Sequence, residues 1–228
     1  MTTRLYLVRH GATESTEEDR FSGAMNVHLS EVGRDQVGQL ARRLANDDIA
    51  AIYCSPLDRT METAAILAKP HRLTPIPNDD LRETSHGHWE GLSRKEVEAR
   101  FHDEYIAWET DPFTFAPANG ESGISVLARA LPVIRQIVTS HRDKNIIVVS
   151  HKATIRLVLS SLLGFDERGY RDRLDQAPAS LDILDFKDEV HARLMLFNDI
   201  SHYAEHPYRP ARHLSRWWDA SNTIKDNQ

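Results

Sequence analysis

Three short apolar runs constrain the fold of this chain more than any other feature of its sequence. They occupy residues 5–8, 52–53 and 146–149. Apolar runs of this kind are typical of strands buried on both faces of a parallel sheet, in which helices connect successive strands. We therefore predict an α/β fold with three α/β/α layers and a mostly parallel central sheet.

Residues suited to binding an anion follow each of these runs. The first run leads into Arg9, His10 and Gly11, the second leads towards Arg59, and the third leads into His151. Because the carboxyl ends of parallel strands lie at one edge of the sheet, we expect two histidines and two arginines to converge on one pocket. Arginine binds phosphate in a fixed fork, and imidazole can attack phosphorus or, when protonated, add positive charge. The sequence thus predicts chemistry on a phosphate group.

Helical spacing and capping residues predict the elements between the strands. The four longest predicted helices lie at about residues 30–46, 57–68, 122–140 and 151–163. Ser30 fits an N-cap, Ser93 with Glu96 forms a capping box, and Gly164 fits the glycine that ends the helix at 151–163. Alternating residues at 181–184 and 190–196 predict a hairpin, and we expect this hairpin to add one strand to the sheet.

The length of the chain favours a single domain spanning residues 1–228. Within it, residues 73–118 interrupt the alternation of strands and helices and carry four prolines. This segment is predicted to form a cap-like insertion over the active-site face, where the strands end. Residues 207–228 are predicted to form a C-terminal tail, ordered in part by Trp217 and Trp218.

Charge and composition limit the partners of the chain. A formal net charge of −6 argues against a nucleic-acid partner, and no apolar run approaches the roughly 18 residues of a membrane span. The only cysteine, Cys54, cannot pair within the chain, which fits a reducing compartment. We expect a cytoplasmic protein with a small-molecule partner, and the sequence leaves the oligomeric state open, a homodimer included.

Displacing an alcohol from a phosphate monoester requires a nucleophile, cationic groups around the phosphoryl oxygens and a proton for the leaving oxygen. His10 fits the nucleophile because it directly follows a strand. His151 begins a helix, where backbone N–H groups attract anions, so its expected role is electrostatic. For the proton donor, Glu83, Glu90 and Glu121 remain open, because each lies near a glycine in a segment predicted to face the pocket.

The ordered set of motifs resembles that of the histidine phosphatase superfamily, also called the phosphoglycerate mutase-like family. The matching motifs run in the family's order from residue 4 to about 200: Leu7-Val8-Arg9-His10-Gly11-Ala12-Thr13, Phe21-x-Gly23, Leu29-Ser30-x-x-Gly33, Ser55-Pro56-Leu57-x-Arg59-Thr60-x-x-Thr63, Leu81-x-Glu83 with Gly87-x-Trp89-Glu90-Gly91, Gly120-Glu121-Ser122 and Val149-Ser150-His151.

The resemblance implies a metal-independent phosphatase without a cofactor. His10 would become phosphohistidine, and Glu83 would protonate the leaving group and then activate water. Arg9, Arg59 and His151 would hold the phosphoryl oxygens. The predicted substrate contacts also include Gly11, Thr16, Ser22, Gly23 and Lys152. Lys152 replaces the glycine that is usual after the second histidine; it is either a solvated lysine in the first turn of a helix or a cation directed at an additional acidic group of the substrate.

Three other functions compete with a phosphatase. A cofactor-dependent phosphoglycerate mutase would share the core residues, but the paired-arginine and proline-rich stretch associated with such mutases is not found. A non-catalytic module that binds phosphorylated ligands is a more remote alternative. A zinc metallopeptidase is suggested by His202-Tyr203-Ala204-Glu205-His206, but Pro207 disfavours the helix which that motif needs.

Overall fold

The computed structural model describes residues 2–14 and 20–204. Its strands are β1 (Thr3–Arg9), β2 (Ile49–Cys54), β3 (Ile76–Pro77), β4 (Asn145–Ser150), β5 (Leu181–Phe186) and β6 (Ala192–Asp199). Its α-helices are α1 (Glu31–Leu44), α2 (Asp58–Ala68), α3 (Arg94–Arg100), α4 (His102–Thr110), α5 (Gly123–Ser140), α6 (Lys152–Leu163) and α7 (Tyr170–Arg173). Short 3₁₀ turns cover Asp79–Leu81, Gly87–Trp89 and Glu167–Gly169.

The six strands form one sheet in the order β3-β2-β4-β1-β5-β6. The pairs β3·β2, β2·β4 and β4·β1 are parallel, whereas β5 and β6 run antiparallel to their neighbours. The predicted α/β class and mostly parallel sheet are confirmed. The hairpin adds both β5 and β6, not one strand as expected, because β5 pairs with β1 along its whole length and β6 continues the sheet.

Helices cover both faces of the sheet because side chains alternate along each strand. Leu5 and Leu7 of β1 pack into the apolar cluster that contains α5 and α6. Tyr6 and Val8 pack into the cluster on the opposite face, which contains α1 and α2. Each buried strand therefore contributes to two cores, which explains why its sequence is apolar without interruption.

Local signals fix several helix ends as predicted. Ser30 caps α1 by accepting a hydrogen bond from the backbone N–H of Gly33, and Ser93 and Glu96 form the predicted capping box of α3. Gly164 ends α6 with a φ of 70°, a left-handed conformation that glycine adopts without strain.

The segment at 73–118 has a small apolar cluster of its own. Trp89, Val97, Tyr105 and Trp108 are buried there, and Phe21 packs against them. The same segment contains β3, α3 and α4, so it is more regular than its prolines suggested.

Some predictions fall outside the described residues. These are the substrate contact of Thr16, the tail at 207–228 and the part of the candidate zinc motif formed by Glu205 and His206. A single domain spanning 1–228 therefore stays a prediction. In the described part of the chain, no helix is long and apolar enough to cross a membrane.

Candidate active site

The carboxyl ends of β1 and β4 bring two predicted site residues together. Arg9 of β1 lies opposite Ser150 of β4, and the backbone N–H of His10 donates to the Ser150 carbonyl at 3.1 Å. His10 and His151 follow these two strands, and their ring centroids lie 5.2 Å apart with ring planes at 61°. The convergence expected from the parallel sheet is therefore present for the two histidines.

His10 is held as a neutral imidazole with one free nitrogen lone pair. The residue is 6% exposed, and its Nδ1 lies 2.8 Å from the backbone carbonyl oxygen of Gly11. Because a carbonyl oxygen can only accept, Nδ1 carries the hydrogen and Nε2 keeps its lone pair. Burial, followed by the positive charges of Arg59 and Arg9, lowers the pKa of His10 well below its ordinary value of 6.5. His10 therefore presents an Nε2 lone pair at neutral pH without first having to lose a proton.

Two glycines allow the segment after β1 to pack against α1. A Cβ on Gly11 would lie 2.6 Å from the carbonyl oxygen of Gly33, and a Cβ on Gly33 would lie 2.1 Å from that of Ala12. Both distances exclude a side chain. From the other side, Thr63 Oγ1 accepts a hydrogen bond from the Gly11 backbone N–H at 3.3 Å. The backbone beside His10 is thus fixed by α1 and α2 together.

Arg59 joins the pocket to the loop that precedes α1. Its two terminal nitrogens donate to the carbonyl oxygens of Met25 and Gly23, each at 2.8 Å, and its Nε donates to His151 Nδ1 at 3.2 Å. The residue is 2% exposed, and burial, partly opposed by the charge of Glu83, lowers its pKa to about 10. The guanidinium stays charged at neutral pH, so a positive charge is fixed beside both histidines.

His151 is also neutral in this arrangement. Its Nδ1 accepts from Arg59, so Nε2 carries the hydrogen and donates to Ser55 Oγ at 2.8 Å. Burial, followed by the charges of Arg59, His10 and Arg9, lowers the pKa of His151 well below 6.5. A phosphate dianion would oppose this shift, because an opposite charge at short range favours the protonated ring.

Arg9 and Lys152 have partners that the sequence did not predict. Arg9 Nη1 donates to the backbone carbonyl of Gln176, and Lys152 Nζ forms an ion pair with Asp175 at 2.9 Å. Arg156 shares that carboxylate, also at 2.9 Å. Burial, followed by the charges of Arg156 and Arg9, lowers the pKa of Lys152 to about 7. Lys152 is therefore a cation beside Arg9 whose charge changes near neutral pH.

Of the three candidate proton donors, Glu83 is the one that contacts the backbone just after His151. Its Oε2 accepts from the backbone N–H of Ala153 at 3.2 Å, and its Oε1 accepts from those of Thr154 and Thr84 at 3.3 and 2.9 Å. The carboxylate thus lies at the N-terminus of α6, next to His151, and its charge acts on Arg59.

Glu90 and Glu121 have other partners. Glu90 Oε1 accepts from the backbone N–H groups of Ala24 and His86 at 2.9 and 3.0 Å. Glu121 pairs with Arg129 at 2.8 Å, and hydrogen bonds from Arg129 help to lower its pKa against the effect of burial. The charge of Glu90 also acts on Arg59, but the three carboxylates differ in position: Glu90 and Glu121 hold loops, whereas Glu83 contacts the start of the helix that follows His151.

Ser22 and Gly23 lie in a turn that supports Arg59. The Ser22 carbonyl accepts from the backbone N–H of Met25 at 2.8 Å, and Gly23 has a φ of 42°. A Cβ on Gly23 would lie 2.3 Å from Glu90 Oε1. Gly23 is therefore linked to the site through its carbonyl oxygen, which accepts a hydrogen bond from Arg59.

The sequence interpretation missed the residues behind Arg9. Gln176 lies 167 positions from Arg9 along the chain, and no spacing rule connects them. One signal was available, because the strand carries two aspartates, Asp182 and Asp185, and of these Asp182 is fully buried in the structure. Among residues 2–14 and 20–204, no group of three histidines, cysteines or carboxylates is arranged to hold a metal ion.

The fold and this constellation of residues define a family, and comparison with known proteins agrees. The family profile of the histidine phosphatase superfamily (branch 1) matches residues 5–200, and the chain belongs to that superfamily. A bifunctional protein of Mycobacterium tuberculosis is 38% identical over 197 residues, which is 86% of this chain and 54% of the relative. The chain thus spans about half the length of that relative.

Two further relatives carry phosphatase names. Phosphoserine phosphatase 1 of Hydrogenobacter thermophilus is 33% identical over 163 residues, covering 72% of this chain and 77% of the relative. The solved structure of a mycobacterial glucosyl-3-phosphoglycerate phosphatase superposes with a TM-score of 0.79 at 29% identity, covering 87% of this chain and 99% of that one.

Proposed function

We propose that this protein is a metal-independent phosphatase that hydrolyses phosphate monoesters of small metabolites through a phosphohistidine intermediate. One observation carries the proposal: His10 presents an unprotonated Nε2 inside a cluster that contains Arg9, Arg59 and His151. A buried neutral imidazole among fixed cations suits attack on a dianion, because the cations neutralise the charge that would repel the nucleophile.

In the first proposed step, His10 Nε2 forms a bond to phosphorus while the bond from phosphorus to the ester oxygen breaks. Arg9, Arg59 and His151 stabilise the charge on the phosphoryl oxygens. Glu83, in its protonated form, gives a proton to the leaving oxygen and becomes a carboxylate. The hydrogen bonds from the N-terminus of α6 stabilise the carboxylate that this step produces.

In the second proposed step, the Glu83 carboxylate takes a proton from water while the water oxygen attacks phosphorus. The bond between His10 Nε2 and phosphorus breaks, which releases inorganic phosphate and restores the imidazole. Glu83 ends this step protonated, ready for another substrate. The two steps balance without a metal or an external acid.

The proposed substrate contacts include Lys152, as the departure from the usual glycine suggested. Lys152 lies beside Arg9 and would attract a second acidic group of the substrate. Phosphoserine and glucosyl-3-phosphoglycerate, which the names of two relatives specify, each carry a carboxylate besides the phosphate. Gly11, Thr16, Ser22 and Gly23 complete the predicted contacts, with the backbone rather than a side chain contributing at the glycines.

The test is to incubate the protein with 3-phosphoglycerate and 2,3-bisphosphoglycerate and to follow the products. Release of inorganic phosphate is expected, together with a phosphorylated protein that is acid-labile and absent from His10→Ala. Rapid formation of 2-phosphoglycerate without phosphate release would identify a mutase instead. Binding of phosphate with no turnover of any ester would identify a non-catalytic module.

Location in the cytoplasm is also part of the proposal. It is supported by Cys54, the single cysteine of the sequence, which is a free thiol in the structure, as is usual in a reducing compartment. Fractionation of the source cells, with the protein found outside the cytosol, would contradict it.

A further inference from the structure

The central sheet carries a buried carboxylate that is not one of the proposed catalytic groups. Asp182 is on β5 opposite Leu7 of β1 and is 0% exposed. Its Oδ2 accepts from Gln176 Nε2 and its Oδ1 accepts from the backbone N–H of Asn198, both at 2.7 Å. Neither partner is charged, and burial raises the pKa of Asp182 to about 7 against the effect of these bonds. An acidic group in such a place is costly, so its retention calls for a reason.

Gln176 links this carboxylate to Arg9, because its side chain binds Asp182 and its backbone carbonyl binds Arg9. Gln176 is 0% exposed, and its Oε1 accepts from Ser180 Oγ at 2.6 Å while its Nε2 donates to Asp182. The side-chain amide therefore has one donor and one acceptor partner, which fixes its orientation. The backbone carbonyl of the same residue accepts the hydrogen bond from Arg9 Nη1.

The segment from 176 to 180 is tied to the end of β1 at two more points. The Arg9 backbone N–H donates to the Ser180 carbonyl at 3.2 Å, and the Ala179 N–H donates to the His10 carbonyl at 3.0 Å. Ala179 has a φ of 52°, a strained value for a residue with a side chain. Such strain persists where surrounding contacts determine the backbone, so this segment is held in place by its bonds.

From these contacts we propose that Asp182 is a positioning residue of the phosphate pocket: through Gln176 it sets the carbonyl that orients the Arg9 guanidinium. The inference rests on the proposed function, since Arg9 is taken to hold a phosphoryl oxygen. Without the carboxylate, the side-chain N–H of Gln176 loses its hydrogen-bond acceptor. The backbone carbonyl of Gln176 is then free to shift, and the Arg9 guanidinium is no longer held in its orientation. A misplacement of about 1 Å in such a group costs on the order of tenfold to a hundredfold in rate.

The experiment is a double-variant cycle on two readouts. Asp182→Ala, Arg9→Ala and the pair are compared by kcat/KM for an aryl phosphate and by the Kd of inorganic phosphate. Asp182→Ala is expected to lower kcat/KM and weaken phosphate binding on the order of tenfold or more when Arg9 is present. In the Arg9→Ala background the same substitution should change neither readout. Equal losses in both backgrounds would show that Asp182 only stabilises the fold, and would overturn the inference.

Two further variants make the test specific. Asp182→Asn should retain most of the activity, because the new amide can donate to a rotated Gln176 amide and still accept from Asn198. Loss in Asp182→Asn as great as in Asp182→Ala would overturn the hydrogen-bond argument. Gln176→Met, which keeps the backbone carbonyl but removes the side-chain bonds, should reproduce the loss and carries the test if Asp182→Ala does not fold.

Asp199→Ala is the matched control. Asp199 is a buried carboxylate on β6 that pairs with Arg43, so its removal takes away an ion pair that is not among the hydrogen bonds joining Asp182, Gln176 and Arg9. It should leave the Kd of inorganic phosphate unchanged at a temperature where the protein is folded. If the unsubstituted protein binds phosphate but turns over no ester, the proposed function fails while the Kd cycle still decides the role of Asp182.

Discussion

At the residue scale, hydrogen-bond partners decide which reactions two side chains of the same type can take part in. His10 and His151 are both buried and neutral, but His10 uses Nδ1 to donate to a carbonyl, whereas His151 uses Nδ1 to accept from Arg59. His10 consequently has a lone pair at Nε2, and His151 has a hydrogen there. The first is suited to attack phosphorus and the second to donate to an oxygen.

Glu83→Gln tests the proton donor at this scale. The amide cannot protonate a leaving oxygen, so esters with poor leaving groups should slow by roughly 10²- to 10⁴-fold, and aryl phosphates with good leaving groups should slow much less. The measurement is kcat/KM across a series of esters ranked by the pKa of the leaving alcohol. Glu121→Gln is the control and should leave the dependence on leaving group unchanged. A uniform loss across the series in Glu83→Gln would rule out the acid role.

Lys152→Met tests the proposed acidic group of the substrate. Phosphoserine and phosphoethanolamine differ only by a carboxylate, so the ratio of their kcat/KM values isolates its contribution. The Lys152 pKa is lowered to about 7, so the ammonium is present below that pH and lost above it. The preference for phosphoserine should therefore decline as pH rises through about 7 in the unsubstituted protein. In Lys152→Met the ratio should be lower and independent of pH, and an unchanged ratio would contradict the proposal.

At the element scale, close contacts between elements hold the segment that contains His10. The turn after β1 packs on the start of α1 through Gly11 and Gly33, where backbone touches backbone. Glu83 comes from a 3₁₀ turn and its following loop, and is fixed by the N-terminus of α6. The pocket is therefore assembled from helix termini and turns on a rigid sheet.

Gly33→Ala and Gly38→Ala form a matched pair on α1. A Cβ at Gly33 would lie 2.1 Å from a backbone oxygen, whereas a Cβ at Gly38 would meet only the end of the Arg42 side chain at 3.8 Å. Gly33→Ala should lower the free energy of unfolding by about 1–3 kcal/mol or more, because the backbone must move. Gly38→Ala should raise it by about 0.5–1 kcal/mol through helix propensity. Urea denaturation measures both, and shifts of the same sign would contradict the packing described.

Element boundaries with a local cause were predictable. Ser30, Ser93 and Gly164 act where the sequence indicated, because a cap or a left-handed glycine depends on residues within one helical turn. The hairpin was predicted correctly. The sequence predicted that it would add one strand to the sheet, whereas both of its strands belong to the sheet. Whether a hairpin joins the sheet depends on which distant strand has an edge that it can pair with. Here β5 pairs with the edge of β1.

At the scale of the whole molecule, an acidic protein concentrates buried cations in one place. The formal net charge is −6, but burial and then repulsion by neighbouring cations, Arg9 in each case, lower the pKa values of Arg59, Lys152 and Arg156. Mutual repulsion of this kind destabilises the folded state when no anion is bound. A phosphate dianion would relieve it.

Inorganic phosphate should accordingly stabilise the protein. At a concentration one hundred times its Kd, a ligand that binds only the folded state contributes about 2.7 kcal/mol, which for a chain of this size corresponds to roughly 5–10 °C in Tm. Thermal unfolding in phosphate, against sodium chloride at the same ionic strength, measures the effect. Equal shifts in the two salts would show that general screening, not a phosphate site, is responsible.

The sequence by itself determined the strands, the capped helices and the residues that follow each strand, because these depend on apolar periodicity and local hydrogen bonds. It therefore indicated His10, Arg9, Arg59 and His151 together, through the rule that parallel strands end at one edge. The resemblance to a family singled out Glu83, and tertiary structure alone showed that it lies beside His151 and what lies behind Arg9. Those outcomes depend on contacts such as that between Arg9 and Gln176, which join residues 167 positions apart and leave no periodic trace in the sequence.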